Sequence, residues 1–393
     1  MLFGSIWDFF SPPREKNTNM LAPIVHDTFK EKKKMLSILS SSPNTIHKKI
    51  KKIALLDFVP LHKPDAHWPT YEGIAHIALK YFEETNPSYR PEIVFYNEPS
   101  DNDPRVPAKK IQQASEDGCL IGVGFTWSTL AGVAAEQAER SKFPYIAPTA
   151  VLDKVHEGAY SISLGVSAKK ASQAAKKFLI EKKIRTVFII ENQNKIQERE
   201  YAGHLEESLK ETDIQTRKIQ YDTHTSTDYP VELENLDAKD SLIFVPGYTD
   251  LRYLVADIHK KNPEVLFLVG PQWSHDETPL TNLFQKSEIN LYCISDAISS
   301  QIGRPAAVFL SKEQDKQKIF SRGVFKYSVL DSLTYALYAL DKDSVRTTED
   351  ALKSMKNLGK HPFSAKTSIY VKNGDVQTEL YLARWNGSQF VRI

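Results

Sequence analysis

Cysteine is nearly absent, with two in 393 residues, Cys119 and Cys293. Two cannot build a disulfide framework, and neither sits in a CxxC or metal-ligand spacing. Their apolar contexts, GCLIGVG and NLYCIS, mark both as small buried hydrophobes and leave the redox compartment open. Long apolar runs are also missing: none approaches the roughly 20 residues that cross a bilayer. Charge of one sign is missing as well. Lys and Arg number 51 against 49 Asp and Glu, and residues 1–52 hold ten of the former and four of the latter. The rest of the chain, 41 against 45, is slightly acidic, which argues against a nucleic-acid partner.

Catalytic signatures are missing too. There is no P-loop, dinucleotide fingerprint, GxSxG, HExxH or zinc spacing. Gly122 and Gly124 in IGVGFTW follow a strand, but the third glycine of a dinucleotide loop is not there. His62, Asp65 and His67 lie close in sequence, yet no further ligand can be nominated, and a solvated loop explains them. No enzyme activity, cofactor or metal is therefore expected. MLFGSIWDFF lacks a basic lead, carries Asp8 and runs into SPPREK, so it does not read as a secretory signal. Phe3, Ile6, Trp7 and Phe10 fall on one helical face, which makes residues 1–14 a candidate for weak membrane contact. Residues 1–50 otherwise read as a poorly ordered leader.

What the chain does contain is a rhythm. Hydrophobic residues are 41% and charged residues 25%, ordinary for a soluble globular protein. KKIALLDFVP reads as a buried strand, and residues 68–84 as a helix with Ile74, Ile77, Ala78 and Tyr81 on one stripe. EIVFYN, CLIGVG, FPYIAP, RTVFII, 214–220, SLIFVPG, VLFLVG and INLYCIS follow as strands. Helices are expected between them over 104–117, 128–141, 167–182, 197–211, 249–260 and 279–286. Strands separated by such helices imply right-handed βαβ crossovers and parallel sheets. About ten strands exceed one open sheet, so two doubly wound α/β lobes are expected. Residues 302–357 read as largely helical. At the end, Asn373-Gly374 and Asn386-Gly387 sit between strand-like residues, and Asn-Gly is the preferred core of a type I′ hairpin.

The segment GVGFTWSTLAGVAAEQAERSKFPYIAPTAV resembles the first-lobe signature of type I periplasmic binding proteins, the leucine/isoleucine/valine-binding kind. VPGYTDLRYLVADIHKKNPEVLFLVGPQW resembles the second-lobe signature, and FKYSVLDSLTYALYAL with the closing hairpins also looks like the family. The resemblance covers roughly residues 51–393. It implies a Venus-flytrap with three crossings between lobes, near 164–167, 295–298 and 376–383. Lobe 1 would comprise 51–165 plus 298–378, and lobe 2 166–297 plus 379–393.

The resemblance also nominates a ligand site. Ser128, where a strand turns into a helix, matches the family's anion-binding hydroxyl; a plain N-cap needs the same residue there. Thr149, or the backbone around Ala147, matches the second donor and acceptor set, and Val151 stands where a further hydroxyl is usual. Tyr248 and Trp127 match positions flanking the cleft, as does Trp273. Trp68 resembles an aromatic near the first covering loop, and Tyr201 the family's Tyr-Gly, with an insertion before it. Gln272 is the departure. The family's amino-acid binders carry an acid at this place, and a buried ammonium without its counter-charge costs several kcal/mol. The implied function is a non-enzymatic solute-binding component of an ABC-type importer, closing on a small carboxylate-bearing ligand, with α-amino acids placed in doubt. A membrane permease is the implied partner, and the periplasm or cell envelope the implied location. The alternative keeps the fold as a sensor or activator module that binds a protein.

Overall fold

Short runs of Ile, Val, Leu and Phe that are apolar at every position must be buried on both faces, which only a parallel sheet covered by helices provides. The chain builds two such sheets. The computed structural model describes residues 50–56, 71–86, 91–96, 103, 105–192, 194–221, 233, 236, 239–247, 251–275, 278–284, 288–296, 325–361 and 369–393. The expected leader, the membrane-contact candidate at 1–14, the loop of His62, Asp65 and His67, and the site candidates Trp68 and Tyr248 lie outside these residues. Residues 50–393 form one unit.

The first sheet contains β1 (Lys52–Leu55), β2 (Glu92–Phe95), β3 (Ile121–Val123), β4 (Tyr145–Ala147) and β5 (Ser161–Ser163). Its order is β2-β1-β3-β4-β5, parallel throughout. The second begins with β6 (Thr186–Glu191), β7 (Gln215–Gln220), β8 (Ser241–Val245), β9 (Leu266–Val269) and β10 (Leu291–Ser295). These five are parallel in the order β7-β6-β8-β9-β10. A small antiparallel sheet of β11 (Gly359–Lys360), β12 (Ile369–Lys372) and β13 (Asp375–Thr378) follows. The chain then returns to the second sheet, where β14 (Tyr381–Trp385) pairs antiparallel with β10 and β15 (Phe390–Arg392) with β14. The second sheet is therefore mixed, with an antiparallel edge on an otherwise parallel core.

Helices cover both faces of each sheet. Ile53, Leu55, Ile121 and Val123 point into a core with α1 (Tyr71–Thr85), α10 (Phe325–Leu340) and α11 (Thr348–Lys356). Ala54 and Tyr145 point the other way, onto α2 (Val106–Glu116), α3 (Ser128–Ser141) and the short α4 (Asp153–His156). In the second sheet Val187 and Ile189 pack on α5 (Ala168–Glu181) and α6 (Ile196–Leu209). Phe188 and Ile190, one residue out of phase, pack with α7 (Arg252–Lys261), α8 (Gln272–His275) and α9 (Thr278–Phe284). This alternation is the two-residue period of a strand buried on both sides. Among the described residues no helix is long and apolar enough to cross a membrane. Cys119 and Cys293 are buried, and neither is in a disulfide.

The chain passes from the first sheet to the second through residues 164–167, and from the small sheet to the second through Glu379 and Leu380. Of the expected passage at 295–298, Ser295 and Asp296 are described. The first Asn-Gly turn has the expected geometry, with Asn373 at φ 51° and Gly374 at φ 81°. The second differs. Gly387 has φ 93°, but Asn386 is not among the residues at positive φ. Its Oδ1 instead accepts the Ser388 and Gln389 amides at 3.1 and 3.0 Å, so its side chain makes the turn.

Candidate functional site

Ligands of open α/β sheets bind at the carboxyl ends of the strands, where the strand order reverses. In the first sheet that point lies between β1 and β3, and in the second between β6 and β8. Of the nominated residues described, Trp127 and Ser128 follow β3, Ala147 ends β4 and Thr149 follows it, Gln272 follows β9, and Tyr201 lies within α6.

At the first reversal, the loop from β3 to α3 runs through strained backbone. Gly124 has φ 151°, and a side chain there would meet the Leu56 carbonyl at 2.8 Å. Phe125 has φ 52° and is buried. A non-glycine residue in that region costs on the order of 1–3 kcal/mol and persists only where its surroundings hold it. Tyr145 holds the loop by donating its hydroxyl to the Gly124 carbonyl at 2.7 Å. Trp127, not Ser128, occupies the N-cap position of α3, and it makes no side-chain cap bond. Trp127 is 66% exposed, the most exposed large apolar residue described.

Ser128 opens the helix and is buried. Its Oγ accepts the Val151 amide at 3.2 Å, which leaves its hydroxyl proton to donate. Thr149 does the reverse. Its Oγ1 donates to the Thr126 carbonyl at 2.6 Å, so its oxygen offers lone pairs only. Ala147 is buried, and its carbonyl accepts Leu164 N–H at 3.0 Å. Ser128 and Thr149 thus tie the loop after β3 to the loop after β4, the strand that Ala147 ends. The first amides of α3 add the unpaired donors and partial positive charge of a helix start.

At the second reversal, β6 ends at Glu191 and is followed by Asn192, and β8 is followed by Pro246 and Gly247. Glu198 in the first turn of α6 is fully buried. One of its oxygens accepts the Asn192 amide at 2.8 Å, and Lys195 Nζ stands 3.6 Å from the other. A Cβ on Gly247 would lie 2.6 Å from this carboxylate, so glycine there makes room for the acid. Trp273 donates its indole N–H to the Gly247 carbonyl at 2.8 Å and is fully buried. It is a core residue and presents no face to a ligand.

Gln272 begins α8 after the β9 loop. Its side-chain oxygen is buried and has no hydrogen-bond partner among the described residues. It lies over Gly270, where a Cβ would come within 2.8 Å of it. A buried acceptor without a donor costs about 1–3 kcal/mol. Glu191 is also buried, and burial raises its carboxyl above the usual carboxylate range, opposed by Lys218. Tyr201 is fully buried in the core between α5 and α6, alongside Ala171 and Leu205. It stands in the second turn of α6, which starts at Ile196.

The two edges meet through α6. Ile196 in its first turn packs on the first-sheet core with Leu130 and Tyr160, while Glu198 two residues later lies against Gly247. The sequence carried no signal for Glu198, because a glutamate in a helix's first turn is ordinary capping chemistry.

No protein-family model matches the sequence, and no curated protein is similar to it. Solved structures are. The leucine-binding protein LivK from Thermotoga maritima superposes with a TM-score of 0.68 at 13% identity, over 87% of this chain and 98% of that one. The chain has the fold of type I periplasmic binding proteins. A substrate-binding protein of an ABC transporter from Desulfitobacterium hafniense, in complex with Leu, gives 0.67 at 12% identity, over 88% and 99%. A solute-binding protein from R. palustris in complex with 4-hydroxybenzoate gives 0.67 at 14%, over 88% and 96%. In this fold the loops described above leave the carboxyl ends of both sheets.

Proposed function

We propose that the chain is a non-enzymatic solute-binding protein of an ABC-type importer. It closes two lobes, 51–165 plus 298–378 and 166–297 plus 379–393, on a small carboxylate-bearing ligand outside the cytoplasmic membrane. The observation that carries this reading is the Ser128 edge. A hydroxyl with a proton to give, the first amides of α3 and the exposed Trp127 ring lie together at a strand-order reversal. The hydroxyl and amides suit a carboxylate, and the ring suits an apolar or planar body. On the other edge Gln272 brings an acceptor without a charge, which favours a ligand with a neutral donor over one with an ammonium. The similar structures bind both kinds: leucine in one, 4-hydroxybenzoate in another.

Intrinsic tryptophan fluorescence, titrated with leucine, aliphatic carboxylates, benzoate and 4-hydroxybenzoate, tests this. A saturable change is expected with the carboxylates that lack an ammonium. Ser128→Ala should weaken it about tenfold, the value of one hydrogen bond near 1.4 kcal/mol. Gln272→Glu should move the preference toward leucine. If no compound in the panel gives a saturable response, the solute-binding reading fails.

A further inference from the structure

Asp153 opens α4, in the half of the molecule built on the first sheet. Both its backbone and its side chain reach α6, which belongs to the second. Its amide donates to Glu200 Oε2 at 3.0 Å, and its carboxylate lies 2.5 Å from His204 Nε2. The side chains of Asp153 and His204 are each 27% exposed. Burial raises the Glu200 carboxyl above the usual carboxylate range, and this amide opposes the shift. The apolar side chains beneath interlock in the same sense. Val151 is buried in the second-sheet core with Ala168 and Tyr201, and Ile196 packs on the first.

The segment that ends in this contact begins at the candidate ligand edge. Thr149 is tied to Thr126 through its hydroxyl, and Val151 to Ser128 through its amide. The Val151 carbonyl accepts Ala168 N–H at 3.0 Å at the start of the second half. Gly165, in the passage between the sheets, lies so close to the Thr149 backbone that a Cβ would meet it at 2.8 Å. Five residues therefore connect Ser128, the inter-sheet passage and α6.

We propose that residues 149–153 are a coupling strap, and that Asp153, Glu200 and His204 form a clasp that fixes the angle between the two halves. Ser128 is a positioning residue for the strap. A ligand that draws on the Ser128 hydroxyl acts on the clasp through Val151. This last link rests on the ligand site proposed above, whereas the clasp does not.

The experiment needs no ligand. Nitroxide labels on Glu116→Cys in α2 and Lys260→Cys in α7, both exposed positions, report the distance between the halves of the full chain. The native cysteines are buried. Asp153→Ala and His204→Ala should each broaden the distance distribution and shift it to longer values. The double variant should add little to either, because both remove one interaction. His204→Gln, which retains a donor, should fall between. Ser128→Ala should produce the same broadening without touching the clasp. Lys154→Ala, which removes an ion pair with Glu136 inside the first half, should leave the distribution unchanged. Unchanged distances in the Asp153 and His204 variants, or strictly additive shifts, overturn the clasp, and an unchanged Ser128→Ala overturns the strap. A failed ligand titration overturns the solute-binding reading and leaves these outcomes standing.

Discussion

A buried imidazole held against a carbonyl tolerates one charge state. His361 is 3% exposed, and its Nε2–H donates to the Asp331 carbonyl at 2.9 Å, with Thr334 Oγ1 at 3.2 Å. Burial pushes its pKa down from 6.5 to about 4, against the carbonyl, which acts to raise it. The unfolded chain therefore takes up the proton first. Stability is complete above pH 6.5 and declines as pH falls toward 4, by about 3 kcal/mol for this one group. His156, whose Nε2–H donates to the Ala150 carbonyl, is likewise pushed down to about 4 and adds in the same direction. Urea midpoints at pH 7 and pH 4.5 measure the effect. His361→Gln should narrow the difference between them, and an identical difference in both proteins would refute the assignment. At this scale the sequence showed only part of the site. Ser128 and Thr149 were nominated by the family resemblance, and their hydroxyls tie the loops after β3 and β4 to each other. Asp153, Glu198 and His204 were not nominated, because their roles depend on partners 6 to 51 residues away, Asn192 for Glu198 and one another for the other two.

Elements were legible where their pattern was apolar and hidden where it was polar. The central strands from KKIAL to LYCIS stand out because they are apolar and buried on both faces, whereas the edge strands β2 and β7 are largely exposed. β5 did not stand out, since Ser161 and Ser163 interrupt its apolar pattern. Both are buried and donate to the carbonyls of Val155 and Ala150 at 2.9 and 2.6 Å, so the hydroxyls are satisfied locally and a polar segment can take an interior place. Helix α11 is held instead at its exposed start. Thr347 Oγ1 accepts the Asp350 amide at 3.1 Å, and Asp350 Oδ2 accepts the Thr347 amide at 3.1 Å. This reciprocal cap anchors the helix that carries Ala351 and Met355 into the first core. Thr347→Ala should cost about 1 kcal/mol. Thermal unfolding and the exchange rates of the first-turn amides of α11 measure it, and unchanged values for both would show the cap to be idle.

The whole molecule is organised by the path of the chain, which leaves the second sheet after β10, builds α10, α11 and the small sheet on the first, and comes back for its last two strands. The closing residues thus complete a core begun some two hundred positions earlier, an arrangement signalled in the sequence by the family resemblance and the two Asn-Gly pairs. Tyr381, Ala383, Trp385 and Phe390 are all buried against β10 and α9. The Trp385 and Phe390 rings meet edge to face at 5.3 Å between centroids. Trp385→Ala should destabilise the protein by about 3–5 kcal/mol through lost burial and the cavity left behind. Because the halves have separate cores, that loss belongs to the second one. Hydrogen exchange should show β9 and β10 amides losing protection while those of β1 and β3 keep theirs. Equal loss in both sheets would mean that the two halves unfold as one cooperative body, and that the passages at 164–167 and 379–380 transmit stability rather than permit hinge motion.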